Sequence, residues 1–185
     1  MKLLLRIARM TTALVLAVLV AFAVWRFGPW GRASAPVVEA PPDSTQAGMR
    51  AVTLYFASAD GDSLEGESRE LLEQASLHER VAALVQALDQ GSRQGRVATL
   101  PAGTSVLHVY LDERSTLTLD LSRAFQQGFR GGSRAEELAI GSLVRTLATN
   151  VPELKRLRLT CGGASIGSLA GHLPLDQALD PHDWP

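Results

Sequence analysis

Several groups of residues in this 185-residue chain have types and spacings that could do chemistry. Gly163-Ala164-Ser165-Ile166-Gly167 matches G-x-S-x-G and follows a predicted strand. In an α/β-hydrolase that pattern is a nucleophile elbow, which holds the serine out for attack. The acid and histidine would have to come from His172, His182, Asp176 and Asp180 in a short tail, with no long helix after the elbow and no parallel sheet expected. Two glycines and a serine more often make a turn, and that is the reading adopted. Asp60, Asp62, Glu65 and Glu67 put four carboxylates within eight residues. Spaced oxygens of this kind hold Ca²⁺, but the spacing misses the EF-hand loop and a solvated acidic turn accounts for it.

The remaining candidates read as structural. No two of His78, His108, His172 and His182 stand four apart, which excludes a zincin-type helix. His108 points outward on its strand, and His172 hydrogen bonds within a terminal loop. Asp120 and Ser122 flank a strand end, where such residues satisfy backbone donors and start a helical turn. Gly128 to Gly132 (GFRGG) lacks the Lys-Ser/Thr of a phosphate loop and serves as a connector. Cys161 is the one cysteine, so neither an internal disulfide nor a cysteine metal site is available, and it reads as a small buried hydrophobe. The sequence names no catalytic, cofactor-binding or metal residue, and no cofactor.

The elements that carry these residues follow from periodicity. Val52 to Phe56 is β-branched and aromatic and predicts a strand ended by the turn at 59–62; Leu64 to Leu72 predicts a weak edge strand. Ser76 and Glu79 form a capping box, Val81, Leu84, Val85 and Leu88 share one helical face, and Gly91 stops the helix. Leu107, Val109 and Leu111 alternate with His108 and Tyr110. After the polar turn 112–115, Leu117, Leu119 and Leu121 alternate with Thr116, Thr118 and Asp120. This predicts a β-hairpin with six aliphatics on one buried face. Ser133 and Glu136 suggest a second capping box, ahead of an apolar face at Ile140, Leu143, Val144, Leu147 and Val151. Leu154, Leu157 and Leu159 begin a last strand, broken by Gly162-Gly163, and a short helical turn is expected near 176–179. The expected fold is α+β: two helices on one face of a small three- to four-stranded sheet.

Ahead of that domain, Lys2, Arg6 and Arg9 precede sixteen uncharged residues, Met10 to Trp25. As a helix this run spans about 24 Å, and a snorkelling Arg26 extends it to Trp30. The resulting organisation is a cytoplasmic basic N-terminus (1–9), a transmembrane anchor or signal segment (10–30), a Pro-rich linker (31–49) and the folded domain (50–185). Basic residues at the start predict that this end stays cytoplasmic. An uncleaved anchor is favoured because the apolar run continues into the aromatic flank of Trp25 and Trp30. The competing reading is a signal peptide cut at Ala21-Phe22-Ala23 or, less favourably with Pro36 next to it, at Ala33-Ser34-Ala35. Either way the domain is exported. Before Arg50 five basic residues face two acidic ones; from Arg50 onward thirteen face seventeen, so the domain is mildly acidic and carries no nucleic-acid footprint.

The strand VTLYFASADGDSL, the helix followed by LPAGTSVL, the hairpin ending LTLDLSRAF, and the later GSRAEELAIGSLVRTLATNVPELKRLRLTCGG and AGHLPLD resemble, in order and spacing, the GerMN domain of sporulation and spore germination proteins. That resemblance covers Arg50 to about Pro181. It implies a ring-building-motif-like fold and a membrane-tethered or lipid-anchored extracytoplasmic module that is not an enzyme. This chain departs from the pattern in having no lipobox cysteine and one copy of the domain. The expectation is a single-pass protein of the cytoplasmic (inner) membrane with a periplasmic domain acting by protein–protein interaction or self-association in the cell envelope, with no small-molecule substrate. The alternative is a module binding a cell-wall fragment or Ca²⁺ through a concavity near the Gly-rich terminal stretch.

Overall fold

The computed structural model describes Phe22 and residues 48–184. Of the expected membrane segment only Phe22 is described, in helical conformation; the basic start, the rest of the segment and nearly all the linker lie outside the described residues. Among the described residues no helix is long and apolar enough to cross a membrane. The chain divides into two units, Met1–Ser44 and Thr45–Pro185, and the second carries every element below.

Its elements run β1 (Met49–Ala57), β2 (Leu64–Leu72), α1 (Leu77–Asp89), β3 (Val106–Leu111), β4 (Thr116–Leu121), α2 (Arg123–Gln127), α3 (Ser133–Asn150), β5 (Arg156–Cys161) and the two-residue β6 (Ala164–Ser165). A 3₁₀ turn at Pro181–Asp183 follows, in place of the helical turn expected near 176–179; Asp180 caps it by accepting from the His182 amide. The α+β class is as expected, with one correction. The strands form two sheets: an antiparallel β1–β2 pair, and a four-stranded sheet in the order β3-β4-β5-β6. β4 and β5 are parallel, joined across α2 and α3, so the expectation of no parallel pairing fails at this one junction. A crossover of that length is what parallel neighbours require.

One hydrophobic core joins Leu54 and Phe56 of β1, the apolar faces of α1 and α3, and Leu117, Leu119, Leu121, Leu157 and Leu159 of the larger sheet. Ser76 caps α1 in the full capping box. The hairpin β3–β4 turns where predicted: Asp112 Oδ1 accepts from the Arg114 and Thr116 amides, and Ser115 takes the left-handed conformation, φ 61°. A register shift between Val106 and His108 removes Leu107 from the buried face; it is 41% exposed, and Val106 packs on the core instead. Such a bulge turns one residue out of the alternation.

The outer edge of β1 is closed without a strand. Along α3, Ser142, Thr146 and Asn150 stand at four-residue intervals and face it. Thr146 Oγ1 accepts from the Tyr55 amide, Ser142 Oγ donates to the Tyr55 carbonyl, and the Asn150 amide pairs with both the N–H and C=O of Thr53. Beyond them Ala57 and Val97 exchange both backbone hydrogen bonds. Four helical residues rise about 6.0 Å and two strand residues about 6.7 Å, so the step from Thr146 to Asn150 matches the step from Tyr55 to Thr53.

Candidate functional site

Ser165 lies in the two-residue strand β6, just after a hairpin turn. Gly162 and Gly163 have φ of 59° and 80°, the paired positive values of a tight turn between β5 and β6. His108, Asp120, Thr160 and Ser165 lie in one row across the four strands. Neighbouring strands are about 4.8 Å apart, which separates His108 from Ser165 by about 14 Å. Asp120 Oδ2 lies 3.3 Å from His108 Nδ1, while its Oδ1 accepts from Thr160 Oγ1 at 3.0 Å and the Gly163 amide at 2.9 Å. Burial opposes the charge on Asp120, but the donors Gly163, His108 and Thr160 outweigh it and hold the carboxyl below its usual range. Asp120 therefore fastens the Gly-Gly turn to β4, which gives the backbone-donor role read from sequence a specific target. Ser122 is the N-cap residue of α2 but makes no side-chain cap bond; its hydroxyl accepts from the Ser105 amide and donates to the Gly103 carbonyl. Cys161 is buried, with Sγ donating to the Ser122 carbonyl.

The four carboxylates are dispersed. Asp60 accepts from Ser58 and the Asp62 amide within the turn, and Glu65 pairs with Arg96. Glu67, far from solvated, is 1% exposed and is bound by Arg69, Ser92 Oγ and the Arg93 amide. Burial opposes its charge, yet Ser92, Arg69 and Arg93 together bring its pKa down to about 2. Arg69 also donates to the carbonyls of Ala87 and Gly91 and lies over the Phe56 ring. The Ca²⁺ alternative is corrected on this geometry: Asp60, Glu65 and Glu67 each have their own partner, and among the described residues no cluster of three or more His, Cys, Asp or Glu could hold a metal ion.

Glu136 corrects the second capping box. The N-cap of α3 is Gly132, with no side-chain bond, and Ser133 is the first helical residue. Glu136 is fully buried and turns the other way, accepting from the amides of Leu169, Ala170 and His172. Burial opposes its charge, but the amides of Ala170, Leu169 and His172 prevail and lower its pKa. It moors the terminal segment, which a backbone bridge between Leu157 and Leu179 also holds. His172 hydrogen bonds there through its amide, and its ring is exposed.

Beside that segment lies a groove of about 940 Å³, lined by α3, the 62–64 turn, Arg156 and residues 172–184. Its apolar side holds Leu64, Leu138, Leu173, Leu179 and Trp184. Gly141 makes this packing possible: a Cβ there would come within 2.9 Å of Leu64 Cδ1 and 3.0 Å of Trp184 Cε3. The concavity is where the alternative reading placed one, next to the terminal stretch, but sequence reasoning named neither Arg145 nor Trp184. A lone aromatic in a small-residue tail was the available signal. The far side of the fold offers an open strand edge: β3 pairs only with β4 and shows Leu107 and Tyr110, the latter 67% exposed.

The model for sporulation and spore germination, Germane, matches residues 53–167, from β1 through the Gly-Gly turn. The chain belongs to this family. Three solved structures share the fold of its GerMN domain. A candidate lipoprotein of Clostridium perfringens is 22% identical, with a TM-score of 0.52 over 74% of this chain and 90% of that one. The tandem GerMN domains of the sporulation protein GerM from Bacillus subtilis are 20% identical, with a TM-score of 0.57 over 74% of this chain and 48% of that one. The first GerMN domain of the same protein is 20% identical, with a TM-score of 0.55 over 71% and 97%. No curated protein matches the sequence. The β3 edge lies within the matched residues, and the groove is lined partly from residues 172–184 beyond them.

Proposed function

We propose that this GerMN protein is a membrane-tethered, extracytoplasmic module that works in the cell envelope by contact with protein partners or other copies of itself, without catalysis. The observation that carries this reading is the unpaired outer edge of β3, with Leu107 41% and Tyr110 67% exposed. An exposed strand edge with apolar side chains is a template for pairing with another chain. It contrasts with β1, whose edge is closed. The apolar run 10–30 behind a basic start supports a single-pass inner-membrane anchor with the domain on the periplasmic side. The family description and the lipoprotein and sporulation names of the similar structures support an envelope setting.

The test is photo-crosslinking in native membranes, with a crosslinking amino acid at position 110 of the full-length protein and a control at Glu113 in the turn. Specific adducts from position 110, either to a second copy or to another envelope protein, are expected. Equal labelling from both positions would remove the edge as the contact.

A further inference from the structure

Among the described residues the groove beside the terminal segment contains two arginines without an ion pair, Arg145 and Arg156, and Arg145 is the one held against an aromatic ring. Arg145, on the C-terminal half of α3, is half-buried, and its guanidinium lies 4.2 Å from the centroid of the Tyr55 ring. It forms no ion pair among the described residues. Arg134, further along the same groove, is engaged, paired to Glu137 and donating to the Asp62 carbonyl. A guanidinium stacked on a ring is held flat with its donor edge free, the arrangement that receives a planar oxyanion bidentately.

Two further observations narrow the ligand. The groove sets Asp62, Glu137, Asp180 and Asp183 among Arg134, Arg145 and Arg156, so a dianionic phosphate meets like charges beside the arginines, whereas a monoanionic carboxylate with a nearby ammonium finds complementary charge for both ends. The apolar wall of Leu64, Leu138 and Trp184 suits an aliphatic side chain next to that carboxylate. At about 940 Å³ the volume stands at the upper end of small-ligand sites, enough for a few residues.

We propose that this groove binds a short zwitterionic peptide carrying a free carboxylate, with Arg145 receiving the carboxylate and Leu64, Leu138 and Trp184 packing against the adjoining side chain. Two sources present this chemistry: the stem peptide of the cell wall and the C-terminus of a protein. The site is separate from the β3 edge, so its loss leaves the protein-contact reading standing.

Titration calorimetry on the full-length protein tests it, with two probes: a stem tripeptide ending in meso-diaminopimelate, and an all-L tripeptide ending in lysine with a free C-terminus. Binding of at least one probe is expected. Arg145→Gln should weaken it tenfold to a hundredfold, as loss of a charged hydrogen-bond pair does. Leu138→Arg, which fills the groove from the other side, should abolish it. Preference for the first probe assigns the site to the cell wall, and preference for the second to a protein terminus. Thermal melts matched to wild type keep both variants interpretable. No heat with either probe, affinity unchanged in Arg145→Gln, or equal displacement by inorganic phosphate would overturn the proposal.

Discussion

The β1–β2 pair and the four-stranded sheet share one core but are fastened differently. The larger sheet is held by aliphatic packing: Leu117, Leu119, Leu121 and Leu157 are fully buried against the helices. The small pair joins that core through Val52, Leu54 and Phe56 of β1 and adds polar fastening, with Glu67 and Arg69 on its inner face and Ser142, Thr146 and Asn150 along its edge. Polar fastening is directional and fails when one partner is lost, whereas apolar packing degrades more gradually. It also closes β1, whereas the outer edge of β3 carries no strand and shows Leu107 and Tyr110.

The largest expected effect comes from Glu67→Ala, which leaves Arg69 charged and buried without its partner. A loss of about 3–5 kcal/mol is expected in chemical denaturation of the full-length protein. A loss below 1 kcal/mol would show that the hairpin does not depend on the pair. Asn150→Ala strands the N–H and C=O of Thr53 and should cost about 2–4 kcal/mol, with faster amide exchange at Thr53. If exchange rises equally across β4, the two regions open as one unit and the comparison fails.

Acid separates them next. The folded pKa of Glu67, about 2, lies below its unfolded value of 4.5. Its stabilisation is therefore complete above pH 4.5 and is lost as pH falls toward 2, with roughly half gone midway. Glu136 shifts in the same direction. Amide protection relative to the intrinsic rate at each pH, followed from pH 6 to 3, should fall first around β2 and residues 169–172, and later at Leu119 and Leu159. The smallest effect is expected from Tyr110→Lys on the open edge. Stability should change by less than about 0.5 kcal/mol, while crosslinking from neighbouring Leu107 is lost.

Much of the larger sheet was legible because its signals are local. The alternation at 116–121, the Ser76–Glu79 box and the helical spacing at 140–151 each declare themselves within one element. Leu107 misled because a bulge shifts the phase, and nothing in the residues around it marks the shift. The α3–β1 ladder is harder still. Ser142, Thr146 and Asn150 do repeat every four residues, but a polar row on a helix ordinarily faces water, and only the fold brings a strand edge to it. Glu136 followed the local capping rule from sequence, yet three amides more than thirty residues downstream outcompete Ser133 for it. Glu67 looked like part of an acidic turn because its partners, Ser92 and Arg93, lie beyond a whole helix. Of the groove, only the rough place was readable; the free guanidinium of Arg145 depends on Tyr55, ninety residues earlier.

The ladder that closes β1 joins residues 87 to 97 positions apart. A chain made from its N-terminus releases the β1–β2 pair well before α3 exists. For that interval Thr53 and Tyr55 offer uncovered donors and acceptors to any neighbouring nascent chain. The hazard is one of timing: it ends when the last turn of α3 emerges, and any delay in translation between β2 and Asn150 should raise the yield of aggregates without altering the stability of the finished protein.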